Sequence, residues 1–225
     1  YKLSILSNLT FGIQTKVSDI HVEGITNIQE IDLRMADKLN YTIILLGIAE
    51  FKKQELLQRV HPCLVSNESM LSHVKNEINT VILEDSHAGK IIAVGKGAGE
   101  MPTASSVISD IINYNELKKK NLYSNSADYS VSTNVFKLEK RKGKFYLRLL
   151  VQDKPGVLAD ITSFFKKQKV SIKSMFQLDE RIKTLVPLIF ITHLISELQI
   201  NVAITKIKKL KNVDHKITLI RIEDV

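Results

Sequence analysis

The first half of the chain switches between helical and strand-like patterns of hydrophobic and polar positions. Apolar residues recur every three or four positions over Lys2–Phe11, which predicts a helix packed through Leu3, Leu6 and Leu9. The same spacing predicts a second helix over Ile28–Leu39, with a capping box that begins at residue 27. Both segments are predicted to contribute one apolar face to a core.

Strands are predicted between and after these helices. Tyr41–Ala49 is a continuous apolar run, typical of a strand buried on both faces. Leu56–Val65 predicts another strand, in which Pro62 favours an edge position or a bulge. Asn79–Leu83 and Ile91–Gly95 are predicted to pair as a hairpin, since turn residues separate them.

The most glycine-dense run of the sequence, Gly95–Asp110, leads from this hairpin into a helix predicted over Thr103–Leu117 with Thr103 as its N-cap. Gly97 and Gly99 allow the backbone to approach another molecule closely, and a helix start offers free N–H groups. A tight strand-to-helix turn without a ligand needs the same residues. The spacing matches neither the phosphate-loop nor the dinucleotide-binding fingerprint, so the pattern leaves both interpretations open.

From Lys144 onward the pattern predicts a βαββαβ order within about 80 residues, which is the ferredoxin-like unit. Lys154, Pro155 and Gly156 form the first turn, and Ser196 caps the second helix. The predicted strands are 145–153, 170–178, 185–193 and 214–222, and the predicted helices are 157–169 and 197–210.

Charge divides the chain at the same place. Residues 1–113 carry 10 Lys+Arg against 13 Asp+Glu, a net charge of −3, whereas residues 114–225 carry 22 against 11, a net charge of +11. The basic half does not favour nucleic-acid binding, because the excess is mostly lysine and no aromatic residues interleave with it as in RNA-binding motifs. Together with a polar stretch after Asn115, the charge break predicts two domains, 1–117 and 144–225, joined by a linker over 118–143.

Composition narrows the class further. The 225 residues are 44% hydrophobic and 25% charged, as in ordinary globular proteins. No apolar run suits a membrane span, and no signal-peptide pattern is present. The lone Cys63 fits a cytoplasmic protein, and the six histidines show no metal-ligand spacing, so no metal site is predicted. The chain begins with Tyr1 rather than Met, which suggests that a segment precedes it.

Several stretches, taken together, resemble one family. DKPGVLADIT, at Asp153–Thr162, resembles the amino-acid-sensing ACT domain. GKGAGEMPTASSVISD resembles the loop and helix late in the catalytic region of homoserine dehydrogenases. Four further segments resemble the middle of that family, in family order: YKLSILSNLTFG at 1–12, VEGI at 22–25, LLGIA at 45–49 and RVHPCLV at 59–65.

The resemblance implies an α+β fold, in which a mixed-sheet catalytic and dimerisation domain precedes a ferredoxin-like ACT domain. It implies reversible reduction of aspartate 4-semialdehyde to homoserine with NADH or NADPH. The family's dinucleotide-binding domain and its acidic substrate-binding residues would lie upstream of Tyr1, so this fragment alone is expected to be inactive. Lys2 matches the catalytic lysine, and Gly97 and Gly99 are expected to approach the cofactor.

In the second domain, Asp153, Gly156, Val157 and Leu158 lie at a strand-to-helix turn whose N–H groups suit an amino-acid carboxylate. The resemblance implies that threonine is the effector. A module that only dimerises, or that has lost its ligand, fits the same residues.

The resemblance also implies a homo-oligomer, either a dimer or a tetramer. The competing hypothesis for the whole fragment is a non-catalytic, amino-acid-binding regulatory module. The choice between NADH and NADPH depends on residues that this sequence does not contain.

Overall fold

The computed structural model describes residues 1–119, 134–182 and 184–225. Five α-helices in these ranges are α1 (Lys2–Phe11), α2 (Glu30–Lys38), α3 (Glu100–Lys119), α4 (Val157–Lys167) and α5 (Glu197–Ile207). The strands are β1 (His21–Val22), β2 (Tyr41–Lys52), β3 (Glu55–Ser66), β4 (Ile78–Asp85), β5 (Gly89–Lys96), β6 (Asn134–Val135), β7 (Lys142–Val151), β8 (Ile172–Gln177), β9 (Val186–Thr192), β10 (Ile195–Ser196) and β11 (Thr218–Glu223). The predicted linker falls largely on residues outside the described ranges.

One mixed sheet runs through both halves of the chain. β2 and β3 pair antiparallel over their whole length, from Tyr41 opposite Ser66 to Lys52 opposite Glu55. The other edge of β3 pairs in parallel with three short segments in turn: β6, β1 and the end of β11. From β11 the sheet continues through β7 and β9 to β8, which is the strand order of a ferredoxin-like unit.

The βαββαβ unit has its own core on one face of this sheet. α4 and α5 pack there against alternate residues of β7 and β9, including Phe145, Leu147 and Phe190. Phe165 of α4 meets Phe190 edge to face, with ring centroids 5.2 Å apart. Ser196 caps α5, as the sequence predicted, and it also forms a capping box with Gln199.

The opposite face of the same sheet is covered by a helix from the first half. Met35 and Ala36 of α2 pack on Tyr146, Ile189 and Ile220, all of which are buried. A ferredoxin-like sheet has helices on one face only, so its second face needs a cover. Because α2 provides that cover, the two halves share a second core in addition to the sheet, which is continuous through the pairing of β3 with β11.

The β4–β5 hairpin and α3 stand apart from the shared sheet. β4 and β5 form a separate two-stranded sheet, and α3 contains no buried residue. Many apolar side chains of this hairpin–helix unit are exposed, among them Ile91, Val94, Met101, Val107, Ile108, Ile111 and Ile112. An isolated two-stranded hairpin is marginally stable in water, so this surface has the character of an interface.

Several sequence-based predictions of detail are wrong. Pro62 lies in an unbroken central strand rather than at an edge or bulge; it is tolerated in the gap between the residues that pair with β1 and those that pair with β11. β2 is the edge strand instead, and Leu45 is half exposed. The run of apolar residues therefore does not mark a strand that this chain buries on both faces.

The helix predictions need similar corrections. α1 turns Ser4 and Ser7 inward and leaves Leu6 and Leu9 exposed, because hydrogen bonds to Thr15 and Gln58 anchor its serine face. The capping box of α2 begins at Gln29 rather than Asn27.

α3 begins before its predicted cap. Its first residue is Glu100, so Thr103 lies inside the first turn, where its hydroxyl donates to the carbonyl of Gly99 at 2.7 Å.

Candidate functional site

The lysine that resembles the family's catalytic residue opens α1. Lys2 is the first helical residue, and its side chain is exposed. The helix ends at Gly12, whose positive φ of 64° lets its N–H bond the carbonyl of Asn8. Leu3 packs against Gly47 of β2, which fixes the helix on the sheet edge. Lys2 is thus presented to solvent on an anchored helix.

The two glycines of the glycine-rich loop have structural roles in this chain. Gly97 lies against Asn79: an added Cβ would lie 1.5 Å from the side-chain nitrogen of Asn79. Its N–H donates to the carbonyl of Glu77 at 2.7 Å. Gly99 has a φ of 120°, which strains any residue with a side chain, and it leads directly into α3. These roles do not exclude a cofactor contact, because both glycines remain exposed.

Lys2 and the two glycines lie on separate structural units. α1 packs on β2, whereas Gly97 and Gly99 belong to the hairpin–helix unit. No backbone–backbone hydrogen bond between described residues joins that unit to α1. The assignment of all three residues to one site therefore stays a prediction.

The predicted effector residues form one turn before α4. Gly156 is the N-cap of α4 with a φ of 91°, which explains glycine at this position. Val157 is buried in the core beneath the turn, whereas the Leu158 side chain is partly exposed. Asp153 faces Arg181 at 4.0 Å, and both side chains are mostly exposed. The four residues are adjacent, and whether they bind an effector stays a prediction.

A larger constellation of charges, which the sequence did not predict as a site, is buried where the two halves meet. Arg221 of β11 donates two hydrogen bonds to Glu23, at 2.8 and 2.9 Å, and a third to Glu197 of α5. Glu23 directly follows β1 and is also bonded by His21 at 2.6 Å. Arg221 and Glu197 are almost fully buried.

The same network continues along β3. Arg59 pairs with Glu50 at 2.6 Å and with Glu223 at 3.4 Å, and Arg141 donates to Glu223 at 2.5 Å. Arg141 also lies 3.6 Å from Glu197. Burying an ion costs several kcal/mol unless a partner compensates, so these residues form a cluster in which each charge depends on the others.

Electrostatics within this cluster hold Glu23, Glu50 and Arg221 in their charged forms. Burial raises the pKa of Glu23, but the hydrogen bonds from His21 and Arg221 outweigh it and lower that pKa far below its usual range. Burial lowers the pKa of Arg221, but Glu23 and Glu197 outweigh this effect and raise it. The pKa of Glu50 is lowered by Arg59 despite partial burial.

A second buried pair joins the halves on the opposite face of the sheet. Asp32 of α2 accepts two hydrogen bonds from Arg148, at 2.7 and 3.0 Å, and one from the Tyr146 hydroxyl at 2.9 Å. Asp32 also accepts a hydrogen bond from the N–H of Gln29 at 2.9 Å, so the same carboxylate completes the capping box of α2 and pairs with Arg148 of β7. Arg148 further donates to Thr218.

Among the described residues, His61, Cys63 and Glu223 are close enough to invite comparison with a metal site. Their candidate ligand atoms lie within 4.8 Å of one another. Burial raises the pKa of the Cys63 thiol to about 12, so it stays protonated at neutral pH. Burial and the charge of Arg221 lower the pKa of His61 to about 3. The guanidinium charges around this group oppose a further cation, and it does not fit a metal ion.

The sequence contains only weak signals of these buried pairs. Arg59, Arg148 and Arg221 each lie inside a strand with at least one apolar neighbour, and Arg148 interrupts the apolar run of β7. A charge at a core position needs a partner, which would have flagged Arg59, Arg148 and Arg221. Glu23, viewed as an isolated surface carboxylate, could not be matched to Arg221 because 198 positions separate them along the chain.

The fold is a mixed sheet that continues into a βαββαβ unit, with a separate hairpin–helix unit beside it. Residues 1–112 match the family model described as homoserine dehydrogenase, and residues 145–212 match the ACT domain. The chain belongs to the homoserine dehydrogenase family.

Individual relatives agree with this assignment. Over its full length the chain is 30% identical to the homoserine dehydrogenase of Pseudomonas aeruginosa and 32% identical to that of Helicobacter pylori, covering 54% and 53% of those proteins. A solved homoserine dehydrogenase from Thiobacillus denitrificans superposes with a TM-score of 0.88 at 34% identity, over 99% of this chain and 52% of that one. The chain therefore spans about half the length of the relatives it matches, and the α+β fold with an ACT domain is confirmed.

Within the described ranges, no helix combines the length and the apolar character that crossing a bilayer requires.

Proposed function

We propose that the chain is the substrate-side and regulatory part of a homoserine dehydrogenase, which reduces aspartate 4-semialdehyde to homoserine with NADH or NADPH in threonine and methionine biosynthesis. The observation that carries this proposal is the match of this whole chain to about half the length of homoserine dehydrogenases, together with the two family models at residues 1–112 and 145–212. The exposed Lys2 on the anchored α1 adds a residue of suitable chemistry.

In this proposal Lys2 acts on the substrate oxygen. Reduction of an aldehyde creates negative charge on its oxygen, and an ammonium group nearby stabilises that charge and supplies the proton. The nicotinamide supplies the hydride when it is bound. Lys2 has no carboxylate partner among the described residues, so its ammonium group is available for this role.

The glycine-rich loop and α3 then form one wall of the cofactor site. Gly97 and Gly99 offer exposed backbone, and the apolar face of α3 lacks cover in the described chain. We place the cofactor-binding part of the enzyme against this face. An interface there buries the exposed isoleucines of α3, which by apolar transfer contribute about 1.5–3 kcal/mol each when fully covered.

The ACT unit supplies amino-acid feedback, with threonine as the proposed effector at Asp153, Gly156, Val157 and Leu158. Oligomerisation of the cytoplasmic enzyme, as a homodimer or a tetramer, covers the open edge of β2. That edge is 12 residues long and half exposed, which is a liability in a monomer.

A thermal-shift titration of the 225-residue chain tests the division of labour. We expect NADPH alone to leave the melting temperature unchanged, because the larger part of the cofactor site lies elsewhere. Saturable stabilisation by NADPH would overturn that division. Threonine, titrated in the same assay, is expected to raise the melting temperature, and Gly156→Ala is expected to abolish the rise.

The catalytic assignment is tested in the parent enzyme. Lys2→Ala is expected to lower kcat by a factor of about 10²–10⁴, the usual contribution of general acid catalysis, with the substrate KM less affected. Lys16→Ala, an exposed lysine beyond α1, is the matched control and should leave kcat unchanged. Equal rates for Lys2→Ala and the wild type would refute the role of Lys2.

The alternative function is a non-catalytic, amino-acid-binding regulatory module. It is favoured by the structural explanations for Gly97 and Gly99, which need no cofactor. Threonine binding in the absence of any dehydrogenase activity in the parent protein would support this alternative.

A further inference from the structure

A cleft lies at the junction of the two halves, away from the predicted catalytic and effector residues. It has a volume of about 510 Å³, within the range of small-molecule sites. Its walls come from the β2–β3 turn, the segment after β6, the start of β7 and the end of β11. Ligand sites favour such boundaries between structural units.

The walls carry an excess of positive charge. Six cationic side chains face four carboxylates: Lys52, Lys53, Lys140, Arg141, Lys142 and Lys144 against Glu50, Glu55, Glu223 and Asp224. Lys144 is neutralised by Asp224 at 2.8 Å, and Lys52 lies 3.4 Å from Glu50. Within the described ranges, Lys53, Lys140 and Lys142 have no carboxylate within ion-pair distance. Three lysines without an ion-pair partner therefore line the cleft, and of its carboxylates only Glu55 lacks a cationic partner.

The buried guanidinium of Arg141 forms the floor of the cleft. Arg141 is only 8% exposed, and its Nη1 atom, which makes no hydrogen bond to a described residue, lies 3.6 Å from the carboxylate of Glu197. It packs on Gly143, where an added Cβ would lie 2.3 Å from Nη1. The Arg141–Glu223 pair holds this guanidinium at the base of the lysine-rich walls.

The conformation of the β2–β3 turn sets the backbone position of Lys53. Lys53 and Gln54 both have positive φ, 53° and 61°, as in a two-residue turn of the type that matches strand twist. The N–H of Asn134 donates to the carbonyl of Gln54, which ties the turn to β6 at the rim of the cleft. The position of Lys53 is thereby fixed relative to the opposite wall.

We propose that this junction cleft binds a small dianion, either a phosphate group or a pair of carboxylates. Lys53, Lys140 and Lys142 supply the charge, and Arg141 forms the floor. Two negative charges suit three ammonium groups that face one carboxylate, whereas a cation would meet the excess positive charge. The site is distinct from the effector turn before α4 and does not depend on the proposed enzymatic function.

Isothermal titration of the 225-residue chain with inorganic phosphate, and separately with succinate, tests the proposal at constant ionic strength. We expect saturable binding of at least one probe, in the millimolar range. Binding of phosphate alone identifies a phosphate ligand, binding of succinate alone identifies a dicarboxylate, and binding of both supports the shared chemistry. Absence of saturable binding by either probe overturns the proposal.

Charge variants show whether binding occurs in the cleft. The double variant Lys53→Gln with Lys142→Gln is expected to raise the dissociation constant about 2- to 30-fold, because each exposed ion pair contributes up to about fivefold to the affinity. The matched control removes two lysines elsewhere, Lys173→Gln on β8 with Lys209→Gln beyond α5, and should bind as the wild type does. Equal weakening in both double variants would show a diffuse charge effect and refute the site.

Discussion

The buried pair between Asp32 and Arg148 leads to a quantitative prediction about how the two halves hold together. Asp32 is fully buried and accepts four hydrogen bonds, from Arg148, Tyr146 and the backbone of Gln29. Replacing it with alanine leaves the Arg148 charge buried with only Thr218 as a described partner. The same change removes one half of the capping box of α2.

The expected cost follows from these contacts. Breaking a buried ion pair by removing one partner costs about 3–5 kcal/mol, because the remaining charge is uncompensated. Asp32→Ala is expected to lower the free energy of unfolding by that amount. Adding Arg148→Met removes the stranded charge, so the double variant should regain at least about 2 kcal/mol relative to Asp32→Ala.

Reversible urea unfolding, followed by circular dichroism, measures the effect. With a slope of about 2–3 kcal/mol/M, the midpoint for Asp32→Ala should fall by roughly 1–2.5 M urea. The control is Arg34→Ala, which removes an exposed ion pair to Glu180 across the same junction and should cost less than about 1 kcal/mol. If Asp32→Ala costs no more than Arg34→Ala, the buried pair does not stabilise the junction and the reasoning is wrong.

Three further predictions concern single positions. Because the pKa of His61 is lowered to about 3 in the folded chain, the unfolded chain binds one more proton at pH values below about 6.5. The free energy of unfolding should therefore decrease by up to about 1.4 kcal/mol for each unit that the pH falls between about 6.5 and 5. His61→Gln should reduce this pH dependence, as measured by urea unfolding. Gly143→Ala should lower the free energy of unfolding by about 1–3 kcal/mol in the same urea experiment, because the added Cβ would force the Arg141 guanidinium out of its position. In the parent enzyme, Gly97→Ala should raise the cofactor KM. The melting temperature should change little, because the exposed Asn79 side chain can rotate away from the added Cβ. An unchanged KM would favour the interpretation of this loop as a strand-to-helix turn without a ligand.

Local patterns along the sequence predicted most of the elements. The βαββαβ unit, the β4–β5 hairpin and the cap at Ser196 are confirmed, because each depends on residues close together in the chain. The cap of α2 was misplaced by two residues because Asn27 and Gln29 can both cap a helix, and the pairing of Asp32 with the distant Arg148 accompanies the choice of Gln29.

Long-range features could not be predicted in the same way. The serine face of α1 is buried because Gln58 and Thr15 lie opposite it, which the helical spacing of leucines does not reveal. Likewise, the parallel pairing of β3 with β11 joins Cys63–Val65 to Arg221–Glu223, which lie far apart along the chain. The predicted roles of Lys2 and the effector turn came from family resemblance, and they are tested by the kinetic assay of the parent enzyme and by the threonine titration.

The pairing of β3 with β11 has a consequence for synthesis on the ribosome. Cys63 of β3 cannot meet Arg221 until about 160 further residues have been made. At about 5–20 residues per second, this takes roughly 8–30 s, during which much of one edge of β3 stays open while β2 pairs with the other. An open apolar edge can pair with the same strand of a neighbouring nascent chain. We therefore expect nascent chains of this protein to be prone to association through β3 until the last strand, six residues long, emerges.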